Sequence, residues 1–305
     1  MTTERLTRRR ALGLLAAAAG LPLVLRAGRA TAEVVTWHGR ALGAPATLVL
    51  HHPDRAAAER LVAACVVELD RLESILSLYR PDSALSELNR AGALVAPPPE
   101  LVAILADCRR FHAATAGAFD PTVQPLWRLY ATHFQGGGGA EGPAPAALDA
   151  ALSRVGLDAV HASPDRIALT RPGMALTLNG IGQGWITDRV ADRLRAAGVT
   201  STLVDMGEIR GVGPRPWQVA IAGTDAVVPL TDRAIATSAP RGFAFDPAGR
   251  FTHIIDPRNG ATPARFSRIT VTAPTAAEAD ALSTGFALTA DAPALPGITV
   301  ERVAS

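Results

Sequence analysis

Lysine is absent from the 305 residues, and all thirty basic side chains are arginines. That excludes chemistry needing a lysine amine, from Schiff-base formation to the phosphate-binding lysine of a P-loop. Cysteine is almost as scarce. Cys65 and Cys108 are the only two, both in apolar helical patterns (LVAACVVEL and ILADCRRF), a context that favours buried, unpaired thiols over a disulfide. No C-x-x-C and no HExxH occurs, so zinc lacks a ligand set. There is no G-x-S-x-G nucleophile elbow either. Charged residues make up 19% of the chain against 48% hydrophobic; a chain this apolar does not stay disordered and can fill a sizeable core. Past residue 30 no uninterrupted apolar run approaches the roughly 20 residues of a spanning helix, which excludes a polytopic membrane protein.

The N-terminus carries what the rest lacks. Thr7-Arg8-Arg9-Arg10 precedes an apolar stretch from Ala11 to Leu25 and an A-x-A exit at Ala30-Thr31-Ala32. Basic start, short apolar middle and small-residue exit read as a secretory signal, and the paired arginines as the twin-arginine route. Residues 1–32 are therefore expected to be removed after Ala32, leaving residues 33–305 as one periplasmic domain; an uncleaved anchor helix is the other reading. Removing them leaves 24 basic and 27 acidic residues, a net charge of −3. The pI of about 8.9 thus belongs largely to the signal, and a mildly acidic mature chain is a poor nucleic-acid binder.

Along the mature chain, residues 34–52 read as a hairpin around a Gly-Ala-Pro turn. Asp54 opens a helix to about residue 77, with Leu61, Val62, Cys65, Val66, Leu69, Leu72 and Leu76 at helical spacing. Pro81 breaks it and Asp82-Ser83 caps a short one. A second amphipathic helix spans 99–115, and residues 136–147 (GGGGAEGPAPAA) form a flexible surface loop. MALTLNGIGQGWITDRVADRLRAAGV reads strand, glycine-rich loop, helix, glycine stop. STLVDMG, PWQVAIAG and RITVTAPT read as strands, and ATSAP and FTHIIDPRNGATP as strand-to-turn transitions. TAAEADALSTGFAL is a helix. The order implies a mixed α/β (α+β) architecture with antiparallel pairs rather than strict βαβ alternation.

Three constellations could carry chemistry. In Asn179-Gly180-Ile181-Gly182-Gln183-Gly184, glycines let backbone amides approach a ligand and a helix N-terminus favours an anion. With Asp205 ending the next strand, the loop is close to a dinucleotide fingerprint, although the third glycine falls at 184 where that pattern wants 185; a tight turn packing a helix onto a sheet would use the same residues. Asp280 and Thr284 share a helix face and, with a backbone carbonyl, would suit a hard cation such as Mg²⁺; an ordinary helix start has the same spacing. His253 precedes an Asp-Pro turn in a strand where Ile254 faces the other way, and Thr237-Ser238 ends another.

Seven stretches match one family in order and wording: SLYRPDSALSELN (77–89), GAFDPTVQPLWRL (117–129), LNGIGQGWITDRVADRL (178–194), TLVDMGEI (202–209), AIATSAP (234–240), HIIDPRNGATP (253–263) and TVTAPTAAEADALSTGFAL (270–288). The sequence resembles the ApbE-type flavin transferases, the FAD:protein FMN transferases. The resemblance implies a two-lobed fold with mixed or antiparallel sheets, flanking helices and FAD in the cleft between lobes. It implies a Mg²⁺-dependent transfer of the FMN half of FAD, the substrate, onto a Thr or Ser hydroxyl of an acceptor protein, with release of AMP. The metal would be held by the Gly182 carbonyl, Asp280 and Thr284. FAD would contact Tyr79, Asp120, Thr122, Asn179, Gly180, Gly182, Gln183, Gly184, Asp188, Thr237, Ser238 and Asp256. His253 of the His-x-x-Asp-Pro signature would be the base, and Asp280 with Mg²⁺ would neutralise phosphate charge.

The chain departs from the family's Asp-Leu-Gly-Gly-Ile-Ala-Lys-Gly, carrying Thr177, Asn179, Gly182 and Gln183 in place of Asp, Gly, Ala and Lys; the last change removes a cation near the pyrophosphate. Its Asn-Gly-Ile-x-Gln-Gly loop, Val204-Asp205-x-Gly207-Glu208 and Thr-Ser-Ala-Pro resemble the NosX subgroup, which implies a NosR-type membrane flavoprotein of nitrous-oxide respiration as acceptor. Two readings compete: a non-catalytic FAD carrier on the same fold, and a dinucleotide-dependent oxidoreductase built on Gly180, Gly182 and Asp205.

Overall fold

A computed structural model describes residues 33–221 and 224–305, and the expected export signal lies outside the described residues. Alternating apolar residues fold back at once: β1 (Glu33–Ala41) pairs antiparallel with β2 (Ala44–His52) from Glu33↔His52 to Ala41↔Ala44. The reversal sits at Leu42-Gly43, one residue ahead of the expected turn, with Gly43 at φ +87. Asp54 caps α1 (Arg55–Leu76) by accepting from Ala57 N–H at 3.0 Å, and the apolar stripe of that helix is buried as its spacing required. Ser83 caps α2 (Ala84–Ala91), which ends at Gly92 with φ 74. β3 (Ala93–Val95), α3 (Pro99–Ala114) and α4 (Gln124–Gln135) follow. The glycine-rich loop ends at Ala144 rather than 147, because Pro145 opens α5 (Pro145–Leu152) at a position where a missing N–H costs nothing.

β4 (Val160–Ala162), β5 (Arg166–Leu169), α6 (Gly182–Ala196), β6 (Thr202–Asp205), β7 (Ile209–Val212), β8 (Trp217–Ala220), β9 (Val227–Leu230), β10 (Ala234–Ser238), β11 (Phe266–Ala273), α7 (Ala276–Phe286) and β12 (Thr299–Ala304) complete the order. Seven strands form one sheet in the order β1-β2-β6-β7-β10-β11-β12, with smaller sheets β3-β5-β4 and β8-β9. Every ladder among the described residues is antiparallel, where the sequence reading allowed mixed sheets.

Strand periodicity divides the core. Leu48, Leu50, Val204 and Ala236 point to the face covered by α1, α6 and α7. Their neighbours Val49, Leu203 and Ile235 point the other way, onto Trp217, Val219 and Leu230 of the β8-β9 hairpin. A third cluster joins α4 and α5 to the 245–255 segment through Leu126, Tyr130 and Ile255, with Phe245 and Phe251 packed on it. Cys65 and Cys108 are buried and unpaired, and burial raises both thiols, Cys65 to about 11.

Two expected strands are absent. Met174–Leu178 runs extended and buried, but Asn89 substitutes for a neighbouring strand, donating from Nδ2 to the Leu176 carbonyl and accepting from its N–H. The segment around His253 forms only an isolated bridge, Ala244↔Thr252. Ile254 and Ile255 are both buried, so no strand alternation exists there.

Candidate active site

The glycine loop delivers the start of α6 onto the start of α7. A Cβ at Gly184 would stand 2.2 Å from the Ala276 carbonyl oxygen, so only glycine permits this approach. Gly184 N–H then donates to Asp280 Oδ2 at 3.1 Å. Gly180 turns toward Thr284, where an added Cβ would lie 3.0 Å from Oγ1. Asp280 and Thr284, one turn apart, thus share the loop side of α7. Ser238 at the end of β10 joins them, its Oγ 2.8 Å from Ser283 Oγ and 3.5 Å from Thr284 Oγ1.

This wall is rich in buried carboxylates. Asp280 is 4% exposed, and burial, reinforced by Asp188, pushes its carboxyl up to about 7. Burial raises Asp205 to about 6, against the Gly207 N–H donated to it at 3.0 Å. Glu208 stands well above the usual carboxylate range through burial first and the charges of Asp280 and Asp205 second. No basic side chain among the described residues relieves any of the three. Nor do they form a ready-made metal cluster: among the described residues no three His, Cys, Asp or Glu groups converge to hold an ion. The donors fit a hard cation that uses one carboxylate, a hydroxyl and loop or substrate oxygens, which is how Mg²⁺ is usually held.

The opposite wall is made of turns. The Phe243 carbonyl accepts from His253 N–H at 3.2 Å and from its Nδ1 at 3.0 Å. A carbonyl can only accept, so Nδ1 carries the proton of the neutral ring, and the Pro240 carbonyl is a second backbone acceptor facing it. Burial lowers the pKa of His253, which holds the ring neutral. T-shaped packing of Phe243 on Phe245 and of Phe245 on Trp127 anchors the segment to α4.

Between the walls lies a cleft of about 510 Å³, within the ordinary size range of small-molecule sites. It brings together Tyr79, Asp120, Asn179, Gly180, Gln183, Thr237, Ser238, His253, Asp280 and Thr284 from the sequence reading. Tyr79 and Asn179 are joined directly, Asn179 Nδ2 donating to the phenol oxygen at 3.1 Å. Five others lie outside the lining. Gly182 is buried as the first residue of α6, and Gly184 packs on α7. Thr122 donates to Asp120 Oδ1 at 2.6 Å and accepts from Gly156 N–H, so it braces a residue that does line the cleft. Asp188 accepts from Ala276 N–H, Ala277 N–H and Arg210. Asp256 accepts from Arg258 N–H, Nε and Nη2 and holds the turn after His253.

The family model described as the ApbE family matches residues 42–298. The chain belongs to the ApbE family. Among its relatives is an FAD:protein FMN transferase of Haemophilus influenzae, 32% identical over 69% of this chain and 67% of that protein. Another, from Escherichia coli, is 30% identical over 83% of this chain and 78% of its own length. The apo flavinyl transferase ApbE of Pseudomonas stutzeri shares the fold with a TM-score of 0.74, covering 91% of this chain and 96% of that one, at 24% identity. The flavin transferase ApbE of Vibrio cholerae gives 0.71 over 89% and 97%, at 26% identity.

ApbE membership removes the oxidoreductase reading, and the geometry says why. A dinucleotide fingerprint needs parallel strands around its glycine loop, and here the loop follows no strand and every ladder among the described residues is antiparallel. Sequence reasoning missed Trp127, Phe243 and Arg268, which also line the cleft. Trp127 lies inside the matched GAFDPTVQPLWRL stretch and could have been found there. Nothing in the sequence marked the other two.

Proposed function

We propose that this ApbE-family protein is an FAD:protein FMN transferase that uses Mg²⁺, modifies a Thr or Ser hydroxyl of an exported or membrane redox protein, and releases AMP. The supporting observation is one juxtaposition. A single cleft holds a buried carboxylate that meets no basic side chain among the described residues, Asp280, and an imidazole that burial holds neutral, His253.

Asp280, Thr284 and a carbonyl of the 180–182 loop would hold the cation, which when bound offsets the charge on pyrophosphate oxygens. The acceptor hydroxyl attacks the flavin-side phosphorus. The bond from that phosphorus to the bridging oxygen breaks, and AMP leaves with the bonding electron pair. The hydroxyl proton passes to His253 Nε2, which burial keeps neutral and ready to accept it. Tyr79, Asn179, Trp127 and Phe243 all line the cleft, and the flat aromatic faces would suit the flavin ring. In this reading residues 1–32 direct twin-arginine export, residues 33–305 act in the periplasm, and a NosR-type flavoprotein is the acceptor to try first.

Mixing the protein with FAD, Mg²⁺ and such an acceptor domain tests the reading. Flavin fluorescence that stays with the acceptor in a denaturing gel is expected. Tight FAD binding with no covalent flavin would favour the carrier reading instead.

A further inference from the structure

Among the described residues lining the cleft, four carry carboxylates, Asp120, Asp205, Glu208 and Asp280, and Arg268 alone carries a permanent positive charge. A dinucleotide adds the two negative charges of its pyrophosphate to this acidic surface. The glycine loop contributes no cation, because Gln183 is neutral; it lies against Gly207, where an added Cβ would stand 2.5 Å from Gln183 Nε2.

Arg268 reaches the cleft through a break in strand order. On β11, Phe266 pairs with Ala304 and Arg268 with Val303, so two steps on β11 answer one on β12 and Ser267 is the extra residue. Regular alternation would send Ser267 and Arg268 to opposite faces. The bulge lets both line the cleft, which is what bulges beside binding sites commonly do. Beyond it the strand is regular: Ile269 is fully buried in the core, and Thr270 Oγ1 meets Thr237 Oγ1 at 3.1 Å. Arg268 therefore shares its face with Thr270 and the cleft-lining Thr237.

We propose that Arg268 is a further substrate-binding residue, its guanidinium holding a phosphate of FAD. The proposal rests on the transferase reading above. A guanidinium suits the task because its planar fork matches two phosphate oxygens and never loses its charge.

Titration calorimetry in EDTA tests it, with FAD, FMN, AMP and riboflavin added to the full chain and to Arg268→Ala, Arg268→Gln and Arg268→Lys. Loss of a charge-assisted hydrogen bond should weaken FAD by about ten- to a hundredfold in the Ala and Gln variants. FMN or AMP, whichever presents the held phosphate, should weaken by a similar factor. Riboflavin, which has no phosphate, should bind within about twofold of wild type. Lys should recover part of the loss, and the defect should shrink at high salt. Unchanged FAD affinity in a folded Ala or Gln variant would overturn the proposal, and so would an equal loss for riboflavin, which would make Arg268 a packing residue. The transferase reading survives either result, whereas a wild-type chain that binds no FAD would overturn both.

Discussion

Two buried aspartates on adjacent helices are treated in opposite ways. Asp188 on α6 accepts from Ala276 N–H and Ala277 N–H, each at 2.9 Å, and from Arg210 Nη1 at 2.6 Å. Asp280 on α7 accepts from one backbone N–H and meets no basic side chain among the described residues. Burial raises both carboxyls, but for Asp188 the Arg210 charge and two amide bonds oppose the rise. Asp188 therefore satisfies orphan donors at the start of α7 and fixes that helix against α6. Asp280 keeps an uncompensated charge in a cleft, a common mark of a functional group. One helix pair thus contains a carboxylate spent on stability and another that the proposed transfer would use to hold the cation.

The sharpest way to break that comparison is Asp280→Ala. Transfer should fall by about a thousandfold or more, since Asp280 is the carboxylate that would hold the charge-neutralising cation at the pyrophosphate. The melting temperature should hold or rise, because an unpaired buried charge has been removed. Rates and thermal melts on one preparation decide the matter; a variant that loses both together would make Asp280 a second brace.

His253→Asn should lower transfer by about 10²–10⁴-fold and leave FAD affinity within a few-fold. In the proposed reaction the histidine would act on the acceptor hydroxyl, which is absent until the partner docks. Single-turnover transfer measured beside FAD binding checks this. A joint loss of FAD affinity and melting temperature would instead make His253 a support for the Asp256-Pro257 turn.

Asp188→Ala should show the converse profile. It leaves the buried Arg210 guanidinium, whose Nε already has no partner, with only the longer 3.4 Å contact to Asp192, and frees two amides at the α7 start. A destabilisation of about 3–5 kcal/mol is expected in urea unfolding, with transfer by the folded fraction reduced far less than in Asp280→Ala. Unchanged stability would remove the brace.

The smallest effect is in pH. The folded-state pKa of Asp280, about 7, lies above the roughly 3.9 of an unfolded aspartate. Its protonated form therefore favours the folded chain: the stability is full below about pH 4 and is lost as pH rises through about 7. Asp205, at about 6, acts in the same direction. Metal-free protein should melt lower at pH 8 than at pH 5.5, and Mg²⁺ should raise the melting temperature more at pH 8. Asp280→Asn should flatten both trends, and scanning calorimetry across that range measures them.

Legibility in the sequence followed how local the cause was. The β1-β2 hairpin, the Asp54 cap of α1 and the shared face of Asp280 and Thr284 need only neighbouring residues, and each was readable from spacing. Met174–Leu178 has the composition of a strand, but its backbone partner is the side chain of Asn89, far away in the chain. The 251–255 segment looked like a strand for the same compositional reason, yet its fold depends on aromatic packing against α4. Asp188 could be placed near the site by motif, but its bracing role appears only once α7 docks on α6. Arg268 enters the cleft through a bulge, and one extra residue in a ladder leaves no trace in composition or periodicity.

Transfer itself is the most direct measurement. The full chain, FAD and Mg²⁺ are incubated with an acceptor domain carrying one target threonine, and intact acceptor mass and AMP are followed together. The acceptor should gain FMN less one water, one AMP should appear per modified chain, and both should vanish with Asp280→Ala or with Thr→Ala in the acceptor. Free FMN and AMP without a mass gain, or transfer undiminished in Asp280→Ala, would contradict a cleft built to pass FMN to a protein hydroxyl.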